Sequence, residues 1–117
     1  MVLVAEDHVD SRDALTTLLD ALGYDVLEAP NGRAAVEVAR ASHPDLILMD
    51  LMMPVLDGLA ATREIRADPS LAGTRVVALT ALEGARPAVM EAGCDDMVAK
   101  PIDVRRLMER LPGWVGQ

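Results

Sequence analysis

Pro44-Asp45-Leu46-Ile47-Leu48-Met49-Asp50-Leu51-Met52-Met53-Pro54-Val55-Leu56-Asp57-Gly58 decides the fold. Leu46 to Met49 is an apolar run with no polar break, which marks a strand covered on both faces. An acid, Asp50, follows it directly, and the loop then runs through Pro54 to Gly58. On the amino side Pro44 closes a helical stretch from about Arg33 to Ser42, with Asn31 as its cap. On the carboxyl side Gly58, Ala61, Thr62 and Ile65 recur at helical spacing. The unit is thus helix, buried strand, helix. Working outward, the same alternation repeats. Val2 to Ala5 is a second buried strand, and Leu15, Leu18, Leu19 and Leu22 form the face of the helix after it, with Asp10 or Ser11 as cap and Gly23 as stop. Asp25 to Ala29 reads as an edge strand and Val76 to Leu79 as another buried one. Pro87 suits the first turn of a short helix ended by Gly93. Met97 to Ala99 is the last strand. Val104, Leu107, Met108 and Leu111 make the last helical face, capped by Asp103, and Pro112 to Gln117 reads as a frayed tail. Strands separated by helices are parallel, so the chain predicts an α/β fold: three layers, a doubly wound five-stranded parallel sheet with helices on both faces.

Composition narrows the function. The 117 residues read as one domain, 1–117, with no linker or repeat. Eleven basic against nineteen acidic residues give a net charge of −8, which argues against direct nucleic-acid or anionic-membrane partners and suits a bound cation. Cys94 is the single cysteine, so no intrachain disulfide or multi-thiolate metal site is expected. No stretch has the length of a membrane span or the layout of a signal peptide. These features predict a cytoplasmic protein.

In a parallel sheet of this kind ligands bind beyond the carboxyl ends of the strands. The first strand ends in Glu6-Asp7, the third in Asp50, the fourth in Thr80 and the fifth in Lys100-Pro101. If the first and third strands are neighbours, three carboxylates meet, and a hard divalent cation such as Mg2+ is the usual reason to keep them together. Lys100 offers a point charge and Thr80 a hydroxyl for phosphate oxygens. Aspartate is a known phosphoryl-accepting nucleophile. The chemistry these five residues spell is phosphoryl transfer onto Asp50.

Val2-Leu3-Val4-Ala5-Glu6-Asp7, the stretch from Pro44 to Gly58, Val77-Ala78-Leu79-Thr80-Ala81 and Lys100-Pro101 together resemble the receiver domain of bacterial two-component response regulators, the CheY-like family. The resemblance runs from about Val2 to Leu111. It implies the flavodoxin-like strand order 2-1-3-4-5 and phosphorylation of Asp50 by a histidine kinase or phosphotransfer protein. It implies that Asp7 and Asp50 bind Mg2+ directly, Glu6 through water, and the Met52 backbone carbonyl as a further ligand. Thr80 would be the switch hydroxyl, Lys100 the phosphate-binding lysine, and the Lys100-Pro101 bond cis. The output would be a protein-interaction surface, for a downstream protein or a homodimer. The domain would be a phosphorylatable receiver rather than an enzyme, assisting its own phosphorylation and dephosphorylation. It could stand alone or belong to a longer regulator or hybrid kinase. Two features depart from the family. Met97 stands where an aromatic switch residue is common, and the stretch from Thr80 to Lys100 is about two residues short. The loop from Leu82 to Pro87 is therefore expected to carry the response more than Met97, while Met52 and Leu82 are expected to overhang the phosphoryl group.

Plainer readings hold for the rest. His8 and His43 read as solvated, Cys94 as a buried filler, Met49, Met52 and Met53 as packing and loop residues, and Arg105, Arg106 and Arg110 as a wet helix face. A haloacid-dehalogenase-like phosphohydrolase would want an acid two residues after the nucleophile, where this chain has Met52. An interaction module that kept the fold alone would have no need of Glu6, Asp7, Asp50, Thr80 and Lys100 together.

Overall fold

The computed structural model describes residues 1–82 and 84–116. Glu83, within the loop expected to respond, and Gln117, the last residue of the expected tail, lie outside the described residues. The elements run β1 Val2–Ala5, α1 Val9–Ala21, β2 Val26–Ala29, α2 Gly32–Ser42, β3 Leu46–Asp50, α3 Gly58–Ala67, a 3-10 turn Pro69–Leu71, β4 Arg75–Thr80, α4 Arg86–Ala92, β5 Asp96–Ala99 and α5 Val104–Trp114. All four strand pairings are parallel and the order is β2-β1-β3-β4-β5, as expected.

Side chains alternate across a strand, so the buried runs feed two cores. Val2, Val4, Leu46, Leu48, Val77 and Leu79 face α1 and α5, meeting Leu15, Leu19, Leu107, Leu111 and Trp114. Leu3, Ala5, Ile47, Met49, Val76 and Ala78 face α2, α3 and α4, meeting Ala35, Val36, Ala39, Ala61, Ile65 and Val89. Leu46, Ile47, Leu48 and Met49 are fully buried. Each such side chain is worth about 1.5–3 kcal/mol of transfer free energy, which makes β3 the anchor of both layers.

Three expectations need correction. The α1 cap is His8, which makes no side-chain capping bond, rather than Asp10 or Ser11. The last helix does not fray at Pro112: it continues to Trp114, whose ring is buried and whose Nε1 donates to Asp96 at 3.2 Å. The inward face of α5 is Leu107, Leu111 and Trp114, while Val104 and Met108 point to solvent. Burying an indole against the α1 side gains more apolar area than burying Val104, so the helix rolls toward its carboxyl end. Arg110 stays on the exposed face, as expected, and adds a contact there. It pairs with Asp96, and its guanidinium lies 5.0 Å from the Trp114 ring centre.

Candidate functional site

Register brings the acids together. Ala5 pairs with Met49, so Glu6 and Asp50 end adjacent strands. Asp50 itself pairs with Leu79 as the last residue of β3, and Thr80 pairs with Ala99, so Thr80 and Lys100 complete the row. Ligand oxygens of Glu6, Asp7 and Asp50 all lie within 4.8 Å of one another. Glu6, Asp50 and Thr80 are buried, and Asp7 is the most open of the acids. The Lys100 Nζ sits 3.2 Å from Glu6 Oε1 and 3.3 Å from Asp50 Oδ2. The expected set of five is assembled in one cleft of about 250 Å³, which His8, Ser11 and Met52 also line. Leu82 is not among its walls. It flanks the cleft, with Met52, in a neighbouring apolar depression that reaches Leu59 and Ala88.

The backbone around the acids is tightly held. Met52 N–H donates to Asp50 Oδ1 at 3.2 Å, and His8 N–H donates to Glu6 Oε2 at 3.3 Å. Leu82 N–H donates to Thr80 Oγ1 at 3.0 Å. Gly58 opens α3 directly against β3: a Cβ there would stand 2.3 Å from the Asp50 carbonyl oxygen, so only glycine lets the helix start so close to the acid. Asp57 caps that helix, its Oδ1 accepting from Ala60 N–H at 2.9 Å. The Lys100-Pro101 bond is cis, as the resemblance implied.

The charges are incompletely balanced. Three carboxylates face one ammonium. Burial pushes the Glu6 carboxyl up to about 7, and its hydrogen-bonding contact with Asp50 and the Asp50 charge push the same way against the Lys100 and His8 donors. Burial pulls Lys100 down, but its bond to Glu6 and the charges of Asp50 and Glu6 outweigh it and raise its pKa. A donor set of hard carboxylate oxygens, crowded and short of positive charge, fits a small divalent cation such as Mg2+.

The sequence reading passed over Arg12. Its Nη1 donates to the Glu6 carbonyl at 2.9 Å, and its Nε lies 3.5 Å from Glu28 Oε1. A basic residue five positions after Asp7 on a helix opening beside it was the available signal. His43 lies at the α2 C-cap with φ 49°, and Cys94 is buried with its thiol 3.7 Å from Thr62 Oγ1, both away from the cleft.

The sequence matches the profile of the response regulator receiver domain over residues 2–112. It is similar to the polar-differentiation response regulator DivK of Brucella ovis, at 33% identity over 117 residues, covering 98% of this chain and 95% of that protein. Its structure is similar to the receiver domain of a sensor histidine kinase from Pseudomonas aeruginosa with a magnesium ion coordinated in the active site cleft (TM-score 0.90, 39% identity, 99% and 97% of the two chains). It is also similar to a receiver domain from Saccharomyces cerevisiae, that of a response regulator co-crystallised with the histidine phosphotransfer protein upstream of it (TM-score 0.87, 30% identity, 97% and 86%).

Proposed function

The chain belongs to the response regulator receiver domain family of two-component systems, and we propose that residues 1–117 act as one cytoplasmic phosphoacceptor domain in which Asp50 receives a phosphoryl group from a histidine kinase or phosphotransfer protein. The observation that carries this is the convergence of Glu6, Asp7 and Asp50 on one point beside Lys100. Glu6, Asp7, Asp50 and the Met52 carbonyl would hold Mg2+. When bound, it supplies positive charge against the phosphoryl oxygens and the attacking carboxylate. In the transfer, an Asp50 carboxylate oxygen forms the new bond to phosphorus as the donor's P–N bond breaks, and the donor imidazole keeps the electron pair. Lys100, already 3.3 Å from Asp50, pairs with the arriving phosphoryl oxygens. Thr80 accepts from the Leu82 N–H at 3.0 Å. Turning the hydroxyl toward a phosphoryl oxygen gives up that bond, so the loop after β4 feels the change directly. Met52 at the rim has no polar group to orient a water, which favours slow self-dephosphorylation. The donor protein is expected on the apolar groove between α1 and the β5–α5 loop. That groove is lined by Ala14, Leu18 and Ile102 and meets the cleft at Glu6, Ser11 and Lys100.

The direct test is incubation with acetyl phosphate and MgCl2, read by intact mass. One phosphoryl adduct is expected, absent in Asp50→Ala and absent with chelator. An adduct of normal extent on Asp50→Ala would assign the wrong acceptor.

A further inference from the structure

We infer that Arg12 is a positioning residue that aims the Glu6-Asp7 pair at the cation, an inference that rests on the reading above. Glu6 N–H donates to the Ala29 carbonyl at 3.0 Å, the last ladder bond between β1 and β2. Beyond it the chain leaves the sheet and turns into α1. The Glu6 carbonyl accepts instead from Arg12 Nη1 at 2.9 Å, reaching back from the first turn of that helix. That carbonyl belongs to the peptide joining the two acids. Rotating this peptide moves the Asp7 carboxylate relative to Glu6 and Asp50, and their convergence within 4.8 Å is what a cation requires. The guanidinium is itself held, since its Nε lies 3.5 Å from Glu28 on β2 and the side chain is only 17% exposed. Glu28 lies opposite Val4 in the ladder, so Arg12 spans helix, turn and edge strand at once.

The arrangement separates orientation from charge. Glu28 offsets the Arg12 charge, so the pair adds little net field at the acids. The planar fork serves two acceptors in fixed directions, which a lysine cannot reproduce. Groups that orient metal ligands from outside the ligand set typically cost ten- to a hundredfold in metal affinity when removed.

The test is a calorimetric titration of the full chain with MgCl2, independent of phosphorylation. Arg12→Leu is expected to weaken binding about tenfold, with Arg12→Lys between it and the parent and Glu28→Gln shifted less in the same direction. Arg66→Leu, at the opposite end of the sheet, is the control for loosening of the fold: it is expected to lower the melting temperature and leave Mg2+ affinity within about twofold. Should Arg12→Leu not fold, Arg12→Lys carries the comparison. Affinity within about twofold of the parent in the folded Arg12 variants would overturn the inference, as would an equal loss in Arg66→Leu. A parent chain that shows no Mg2+ binding would instead overturn the function proposed above.

Discussion

The two ends of the sheet treat charge in opposite ways. At the amino end Asp45, Asp95 and Asp96 are each matched by a donor. Arg66 donates at 2.7 Å to each of three acceptors, the Gly93 carbonyl, the Thr74 carbonyl and the Asp95 carboxylate. Asp95 also accepts from Val76 N–H at 2.8 Å. Asp45 pairs with the Met1 ammonium at 2.7 Å. Asp96 works against its own burial, but bonds from Met97 N–H and Trp114 Nε1, with Arg110, hold its pKa below the usual carboxylate range. At the carboxyl end three carboxylates converge while Lys100 reaches two of them, Glu6 and Asp50, and the Glu6 pKa is driven the other way. The hydrogen-bond account closes at both ends, since no buried side-chain polar atom among the described residues lacks a partner. What differs is net charge. The amino end holds α3, α4 and β5 together, whereas at the carboxyl end the negative charge stays incompletely compensated.

The contrast can be broken most sharply at Arg66. Arg66→Ala removes the guanidinium donor from two carbonyls and from Asp95, which keeps the Val76 N–H, and is expected to cost about 2–4 kcal/mol in denaturant unfolding. Phosphoryl incorporation at a temperature where the variant is folded should be unchanged. Impaired labelling there would mean that the two ends are not separable.

Acidity provides the next test. The folded Glu6 carboxyl titrates near 7 against 4.5 in the unfolded chain. Between those values the folded form holds a proton that the unfolded form has released, so this group's contribution is full below pH 4.5 and is lost as pH rises to about 7. Metal-free stability is expected to fall by about 1–2 kcal/mol across that window. Saturating Mg2+ should flatten the fall, because it binds the ionised carboxylates. A flat profile in chelator would show the acid cluster to be better compensated than the geometry indicates.

A smaller gain is expected for Asp50→Asn. Removing one of three like charges while Lys100 keeps Glu6 should stabilise the metal-free chain by about 1 kcal/mol, measured as a raised melting midpoint in chelator. A lowered midpoint would mean that the Lys100–Asp50 pair outweighs the repulsion. At the bottom of the scale, Arg105 is 90% exposed and, among the described residues, pairs only with Glu109 one helical turn on. Arg105→Ala should change stability by less than about 0.5 kcal/mol, and a larger loss would make the outer face of α5 more than a solvated surface.

How far these regions were legible from the residues differs for physical reasons. The four strand-end motifs were readable because an acid, a threonine or a lysine straight after a buried run lies, in any parallel sheet, at the same edge. The Arg66 clasp was not readable. Its acceptors are two carbonyls and an acid 8 to 29 positions away, and backbone carbonyls carry no residue identity. Arg12 was missed partly for the same reason, since one of its two partners is the Glu6 carbonyl, and the other, Glu28, lies 16 positions away on β2. The α5 boundary was misjudged because Pro112 and Gly113 are poor helix formers, yet Trp114 finds both a core and an Asp96 acceptor.

By itself, then, the amino-acid sequence determined the alternation of strand and helix, the two-sided burial of β3, and the row of Glu6, Asp7, Asp50, Thr80 and Lys100 at one edge. All of these follow from side-chain periodicity and chain direction, which are local. The tertiary structure alone decided that Glu6 is forced toward neutrality, that Met52 lines the cleft while Leu82 stands beside it, that α5 turns Trp114 inward, and that Arg12 grips the peptide between the two acids. Each of these depends on which groups meet across the fold and how much water remains between them, and no periodicity along the chain encodes that.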